Sequence, residues 1–297
     1  HRRVFQQRAR DGQALALAAG KPRPVFTDQR VEALRHLLDE LQRMCGARKG
    51  KGKQEVFGYV EGGYETIITA LQQKLAALGV TVTANAPVSS VMRQGETIAV
   101  TTPQGTIACD RAIITAAAPL LPKLCPDLSE AEKQRFASVQ YLGIRCASLL
   151  TRQPLSSYYI TNILDRWVPF TGIIEMSALV DKTEFAGRSL IYLPRYLPSE
   201  SPELATPSAT AETDTMQILE RMYPHFNRAQ AEAFRISCVQ YILPLPTREL
   251  QKNPLPVATS IPGVFMLNTG HITDGVLTVN KVMALGQQAP PLVLRQA

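Results

Sequence analysis

Residues 58–82 read GYVEGGYETIITALQQKLAALGVTV, and the rest of the chain is interpreted outward from this stretch. Apolar side chains recur there at three- and four-residue spacings, at Ile67, Ile68, Leu71, Leu75 and Leu78. This spacing predicts an amphipathic helix. Gly79 stands where such a helix ends, and the pair Gly62-Gly63 predicts a turn leading into it.

Alternating apolar and polar residues follow the helix and predict short strands. The candidate strands are Val80 to Thr83, Pro87 to Met92, Thr97 to Thr101 and Ile107 to Thr115. Pro103-Gln104-Gly105 joins the last two, and these residue types favour a tight turn. We therefore expect a hairpin at this point.

The remainder of the chain mixes strand and helix patterns. Aromatic and β-branched residues predict strands at 141–151, 158–164, 168–176, 189–196, 234–243 and 263–267. Helices are predicted at 129–137, 211–223 and 278–288, the first opened by a capping box of Ser129 and Glu132. The fold class predicted from this pattern is α/β, of a mixed α+β kind.

The excess positive charge lies at the beginning of the chain. The net charge is +7, and residues 1–53 hold 13 basic and 5 acidic residues. Helices are predicted at 4–19 and 31–45, followed by a basic run at 48–53. This run is either a solvated loop or a weak contact with an anionic surface. The neutral remainder of the chain argues against nucleic-acid binding.

Several classes of protein are excluded by composition. Hydrophobic residues make up 45% and charged residues 19%, a globular balance. No uncharged apolar run reaches the roughly 18–20 residues of a membrane span. Five widely spaced cysteines and four histidines predict neither a disulfide framework nor a metal site. A reducing, cytoplasmic location is expected, since no secretory signal follows His1.

The common catalytic and phosphate-binding motifs are absent. The sequence contains no G-x-G-x-x-G, no G-x-x-x-x-G-K-[ST] and no G-x-S-x-G. Taken alone, the motifs of this chain therefore identify no reaction.

The order of the segments nevertheless resembles the FAD-dependent amine oxidase superfamily, which includes phytoene desaturases and UDP-galactopyranose mutase-like proteins. The segments that carry the resemblance are 58–64, the helix to Gly79, 87–91, 110–116 and 263–270 with the helix after it. Segments 171–175 and 192–196 look like those of a bacterial branch of FAD/NAD(P)-dependent oxidoreductases. The likeness covers about residues 54–290.

This resemblance implies FAD as the cofactor and an incomplete FAD-binding layer interleaved with a mixed or antiparallel-sheet substrate domain. The expected division is a basic helical segment and loop at 1–53, FAD-domain-like elements at 54–117 and 256–297, and a substrate-binding domain at 118–255. The family's opening strand, glycine loop and helix have no counterpart. We therefore expect a partial chain, one that binds FAD poorly by itself.

The resemblance also implies contacts for particular residues. The cofactor-binding candidates are Gly62, Gly63, Val88, Ala116, Ala117, Asn268, Thr278, Val279 and Asn280. Val88 would lie in the strand that meets the adenine, and Ala116 and Ala117 in a turn close to the cofactor. Asn268 would lie near the pyrophosphate, and positions 278–280 would open a helix that donates to the pyrimidine edge of the flavin.

Three residues are candidates for substrate binding. Arg145 lies in an apolar predicted strand and either anchors a substrate carboxylate or phosphate or pairs with a buried acid. Arg195 presents the same choice, and His271 either faces the flavin or lies in a solvated loop. No catalytic residue can be assigned.

These observations lead to one main hypothesis and two alternatives. The main hypothesis is an amine-oxidase-like FAD-dependent oxidoreductase that transfers a hydride from a small organic substrate to flavin. The alternatives are a non-catalytic interaction module or degenerate remnant, and a redox-neutral flavin mutase acting on a nucleotide sugar. Arginines converging on the pocket would favour the mutase.

Overall fold

The computed structural model describes residues 58–205, 210–273 and 277–294, together with the backbone of residues 4–7. The chain divides into two compact units. The first unit comprises His1–Ile67, Ala147–Pro194 and Thr210–Arg235, and the second comprises Ile68–Cys146, Arg195–Ala209 and Ile236–Ala297. The predicted helix at 31–45 and the basic run at 48–53 lie outside the described residues.

Helices and strands alternate along the chain, which confirms the predicted mixed α/β class. The strands are β1 (Val4–Gln7), β2 (Ser90–Gln94), β3 (Thr97–Thr102), β4 (Gly105–Cys109), β5 (Ala112–Ile114), β6 (Tyr141–Thr151), β7 (Ile160–Ile163), β8 (Gly172–Glu175), β9 (Ser189–Pro198), β10 (Ala231–Pro244) and β11 (Val264–Met266). The α-helices are α1 (Tyr64–Ala77), α2 (Leu121–Leu124), α3 (Glu130–Ala137), α4 (Ala211–Met222), α5 (Arg248–Lys252) and α6 (Val279–Leu294).

Antiparallel pairing organises the first unit. β1 pairs with β7, β7 with β8, and β8 with β9. One side of these strands is buried and includes Ile173, Glu175, Ile191 and Leu193. Because side chains alternate along a strand, the intervening residues form the second, less buried side.

The second unit contains two small sheets and an apolar core. β2, β3 and β4 form an antiparallel meander, and β5 pairs with β11 in parallel. The parts of β6, β9 and β10 that belong to this unit lie side by side, with β6 between the other two. Ile98, Leu121, Phe136 and Met266 are fully buried and belong to one core cluster. The parallel pair is thus held by a core that also includes the meander and α3.

Several local predictions are confirmed. Ser129 and Glu132 form the predicted capping box at the start of α3. Gly79 follows the end of α1 with a φ of 77°, the left-handed conformation in which glycine ends a helix. The apolar side of α1 is exposed among the described residues, however, with Ile67, Ile68, Leu71 and Leu78 between 46% and 66% exposed.

Other local predictions are wrong. Residues 4–7 are a strand rather than the start of a helix, because pairing with β7 outweighs local helix propensity. Val80 to Thr83 forms no strand. The strand predicted at 107–115 is two strands, β4 and β5, separated at Asp110 and Arg111. Helix α6 continues past Gln288 to Leu294, with Pro290 and Pro291 inside it.

Candidate functional site

The candidate site is the edge of the second unit at which β5 and β11 end. The two strands are parallel, with Ile113 opposite Phe265 and Ile114 opposite Met266. The residues that follow them, Thr115 to Ala117 and Leu267 to Gly270, therefore emerge side by side. In α/β proteins, ligands bind outside the carboxyl ends of parallel strands. We refer to residues 115–118 and 267–271 as the carboxyl edge.

Asn268 joins the two halves of the carboxyl edge. Its side-chain nitrogen donates to the carbonyl oxygen of Ala116 over 2.6 Å, and its side-chain oxygen accepts from the Gly270 N–H over 2.9 Å. The side chain is buried, with the residue only 6% exposed. Asn268 therefore fixes the turn after each strand, and Ala116 and Asn268 are brought together as a pair.

Two backbone donors at this edge have no acceptor among the described residues. They are the N–H groups of Ala116 and Ala117. Both residues are half-buried, and Ala117 has φ −58° and ψ 139°. Backbone N–H groups without a protein acceptor bond to water or to a ligand. The carboxyl edge thus offers two adjacent donors to an acceptor supplied by a ligand.

Tyr141, a residue that the sequence did not single out, also reaches the carboxyl edge. It is the first residue of β6 and is 3% exposed. Its hydroxyl accepts from the Ala118 N–H over 3.5 Å and lies beside the side chain of Thr269. Burial raises the pKa of the Tyr141 hydroxyl. No local sequence signal marks this role, because both partners are distant in the chain.

His271 lies in the short 3-10 helix Thr269–His271 that follows β11. The backbone N–H of Asn268 donates to its Nδ1 over 3.2 Å, and Nε2 lies 3.5 Å from the carbonyl oxygen of Pro256. Nδ1 also lies 3.1 Å from the carbonyl oxygen of Asn268, so both ring nitrogens face backbone groups. Burial lowers the pKa of His271 and outweighs the opposing hydrogen bonds to Asn268 and Pro256, which favours the neutral ring.

Four further cofactor candidates take no part in these contacts: Val88, Thr278, Val279 and Asn280. Val88 is 39% exposed and precedes β2 rather than lying within a strand, so its predicted place in a strand is wrong. Thr278 precedes α6, and its hydroxyl accepts from the Lys281 N–H over 3.4 Å. Val279 and Asn280 are the first residues of that helix.

Gly62 and Gly63 belong to the first unit and form the turn before α1. Their φ angles are 75° and 71°, which side chains other than glycine rarely adopt. The Gly62 N–H donates to the Glu184 carboxylate over 3.0 Å. Their predicted contact with a cofactor stays a prediction.

Arg145 and Arg195 are brought together in the second unit by Glu203. Arg195 binds the Glu203 carboxylate through two nitrogens, at 2.6 and 3.0 Å, and Arg145 lies 3.6 Å from the same carboxylate. An acid partner for both arginines is therefore present, in the 3-10 helix Pro202–Leu204. Glu203 was not predicted.

Neither a metal site nor a membrane-spanning helix is found within the described ranges. No group of three or more histidine, cysteine, aspartate or glutamate side chains there could hold a metal ion. In the same part of the chain, no helix combines the length and the apolar character needed to cross a bilayer.

Comparisons with known proteins concern both the sequence and the fold. The sequence matches the family described as flavin containing amine oxidoreductase over residues 2–265. A search of the curated proteins gives no match.

Solved structures share the fold at low sequence identity. A protoporphyrinogen oxidase-like protein from Exiguobacterium sp. 255-15 has a TM-score of 0.65 at 14% identity, over 88% of this chain and 58% of that one. Wild-type putrescine oxidase bound to putrescine has a TM-score of 0.55 at 14% identity, over 79% and 53%. An oxidoreductase from Methanosarcina mazei has a TM-score of 0.54 at 17% identity, over 75% and 55%. The chain thus spans little more than half the length of these proteins.

Proposed function

The chain belongs to the family of flavin-containing amine oxidoreductases, whose cofactor is FAD, and from this premise we propose that it takes a hydride from a small organic substrate. The observation that carries the proposal is the carboxyl edge, where the adjacent N–H groups of Ala116 and Ala117 have no acceptor among the described residues. A flavin cofactor is rich in phosphate and carbonyl oxygens, which are acceptors for such donors.

The residues present at the carboxyl edge fit a cofactor of this kind. Ala116 and Ala117 supply donors without bulky side chains, so a ligand can approach the backbone closely. The side chains of Asn268 and Tyr141 already form hydrogen bonds with backbone groups of the turns. These groups belong to Ala116, Gly270 and Ala118. The two side chains would therefore hold the cofactor-binding backbone in place rather than bind the cofactor directly.

FAD, when bound, supplies the hydride acceptor. The protein's own part is to bind, orient and exclude water. The buried Asn268 and Tyr141 keep the edge rigid, and the neutral His271 adds no positive charge to it. In the first turn of a helix the N–H groups have no partner within the helix itself, so the start of α6 at Val279 and Asn280, with Thr278 before it, suits an electron-rich group.

The count of arginines favours an oxidoreductase over the mutase alternative. A nucleotide sugar carries a diphosphate, which calls for several uncompensated cations. Of the predicted arginines, Arg145 and Arg195 share the Glu203 carboxylate, so that a single excess positive charge remains. One excess charge suits a substrate with one negative group better than a diphosphate.

The proposal is tested with the full-length product of the gene. The purified protein is incubated with FAD, desalted and examined by visible absorbance. It is then mixed without oxygen with a panel of small amines and amino acids. We expect a retained flavin spectrum that at least one compound bleaches. Retention of flavin with no bleaching by any C–N or C–H donor contradicts the oxidoreductase, and absence of retained flavin contradicts the cofactor site.

A further inference from the structure

Glu203 is shared unequally by two arginines. Arg195 pairs with both carboxylate oxygens, from Nη1 at 2.6 Å and from Nη2 at 3.0 Å. The nearest nitrogen of Arg145 lies 3.6 Å from Oε2, beyond hydrogen-bond distance. Two-point pairing is the strong arrangement for a guanidinium and a carboxylate. Glu203 is therefore committed to Arg195, and Arg145 holds only a distant partner.

The cluster carries one excess positive charge in a partly buried place. The Arg145 side chain is 17% exposed, compared with 33% for Arg195. In the described part of the chain, neither arginine forms an ion pair with a second acid, and the Arg145 guanidinium makes no hydrogen bond. A guanidinium has five N–H donors, and leaving buried donors unpaired costs free energy. The site is thus incomplete without an acceptor.

Strand β6 relates this cluster to the carboxyl edge within the second unit. Arg145 and Tyr141 are four residues apart on β6, so their side chains project from the same side of the strand. At the usual rise per residue, about 13 Å of strand separates them. A small molecule can span that distance.

We propose that Arg145, supported by Arg195, binds the carboxylate of the small-molecule substrate. This assignment of substrate class rests on the proposed function. A single excess charge matches a monoanion, and the planar guanidinium matches the two oxygens of a carboxylate. Glu203 holds Arg195 in place, and its negative charge 3.6 Å from Arg145 disfavours a second anion there.

The chain contains a matched control cluster in the first unit. Glu232 there pairs with Arg152, at 2.9 Å, and with Arg188. The composition is the same, but the arginine side chains are 67% and 41% exposed. Water can satisfy these guanidinium groups, so they need no ligand.

The experiment measures anion binding by the full-length gene product. The melting temperature is followed against acetate concentration, with sodium chloride at equal ionic strength as the reference and phosphate as a second series. The variants are Arg145→Gln, Arg145→Lys and Glu203→Gln, with Arg188→Gln and Glu232→Gln as controls. Arg145→Lys keeps the positive charge, and it replaces Arg145→Gln in the comparison with the wild type if that variant does not fold.

We expect acetate to stabilise the wild type saturably. The apparent dissociation constant should be at least about tenfold larger in Arg145→Gln. Glu203→Gln removes the negative charge beside Arg145, so acetate binds severalfold more tightly. Arg145→Lys is intermediate because it loses the planar fork. The two control variants match the wild type.

Three results would overturn the inference. They are unchanged acetate binding in Arg145→Gln, unchanged or weaker binding in Glu203→Gln, and tighter binding of phosphate than of acetate in the wild type. The flavin spectrum of the same samples reports separately on the proposed function. Loss of flavin with intact, Arg145-dependent acetate binding contradicts the proposed function and leaves the anion site standing.

Discussion

The side chain of Asn268 donates to the carbonyl oxygen of Ala116 over 2.6 Å and so joins the ends of two parallel strands. A carboxylate at position 268 has no proton to give and would place oxygen against oxygen. The same side chain accepts from the Gly270 N–H, which an acid could also do. Donation to Ala116 is thus the reason for an amide at this position.

Asn268→Asp is expected to lower the free energy of unfolding by about 1–3 kcal/mol at neutral pH, because the buried carbonyl of Ala116 loses its donor. The loss should shrink below about pH 4, where a protonated carboxyl can donate. Urea unfolding measures both values.

Asn253→Asp is the matched control for this change. The Asn253 side-chain oxygen accepts from Arg135 over 2.8 Å, a role that a carboxylate fills equally well. An equal loss in the two variants would contradict the account of Asn268.

Tyr141→Phe removes the hydroxyl that accepts from the Ala118 N–H and lies beside Thr269. We expect a loss of about 0.5–1.5 kcal/mol in the free energy of unfolding, together with weaker retention of FAD. Tyr241→Phe is the control, because its ring packs edge-on against Tyr141 at 5.5 Å while its hydroxyl has no partner among the described residues. Equal effects on FAD retention would show that the Tyr141 hydroxyl does not position the carboxyl edge.

Glu175 predicts a pH dependence of stability in the first unit. Burial raises its pKa above the ordinary 4.5, against opposing hydrogen bonds from Ser177 and Leu155. The folded state then holds the proton more tightly than the unfolded state, so the contribution to stability is complete below pH 4.5 and is lost as pH rises through the raised pKa. Glu175→Gln should remove this pH dependence. The change in unfolding free energy that is lost amounts to about 1.4 kcal/mol for each pH unit by which the pKa is raised.

Glu132 provides the contrast to Glu175. Burial alone would raise the Glu132 pKa, but hydrogen bonds from Ser260 and Ser129 outweigh it and the pKa is lowered. Its contribution is present above the ordinary pKa and is lost as pH falls through the lowered one. Unfolding by urea across a pH series should therefore give slopes of opposite sign for Glu175→Gln and Glu132→Gln relative to the wild type.

Gly143 allows close packing beside Arg145 on β6. A Cβ at this position would lie 2.4 Å from Leu204 Cδ1 and 2.8 Å from the carbonyl oxygens of Val239 and Gln240. Gly143→Ala should therefore cost about 1–3 kcal/mol of unfolding free energy. Gly286→Ala, in open space within α6, should instead stabilise by about 0.5–1 kcal/mol. A neutral Gly143→Ala in urea unfolding would contradict this packing.

Features whose partners are close in sequence could be predicted. The capping box needs only Ser129 and Glu132, three residues apart, and the end of α1 needs only a glycine that tolerates a positive φ at position 79. Strand β6 was predicted from its own composition over its full length. In each case the deciding interaction lies within one element.

Contacts between distant residues could not be predicted. Asn268 and Ala116 are 152 positions apart, and nothing near either residue marks the bond. Arg111 lies in the break between β4 and β5 and donates to the carbonyl oxygen of the distant Val293 over 2.8 Å. Glu203 likewise becomes the partner of Arg145 only through folding. Some residues of the carboxyl edge, such as Ala116 and Asn268, could therefore be predicted from the sequence, but the contacts between them could not.

The most direct test of the central claim is the affinity for FAD after removal of one backbone donor. Ala117 has φ −58°, which proline adopts without strain, so Ala117→Pro removes the N–H and leaves this angle unchanged. Ala117→Ser keeps the donor and is the control. Titration of the full-length protein with FAD should show binding about 10- to 100-fold weaker in Ala117→Pro and unchanged in Ala117→Ser. Equal affinity in the two variants would contradict a flavin site at the carboxyl edge.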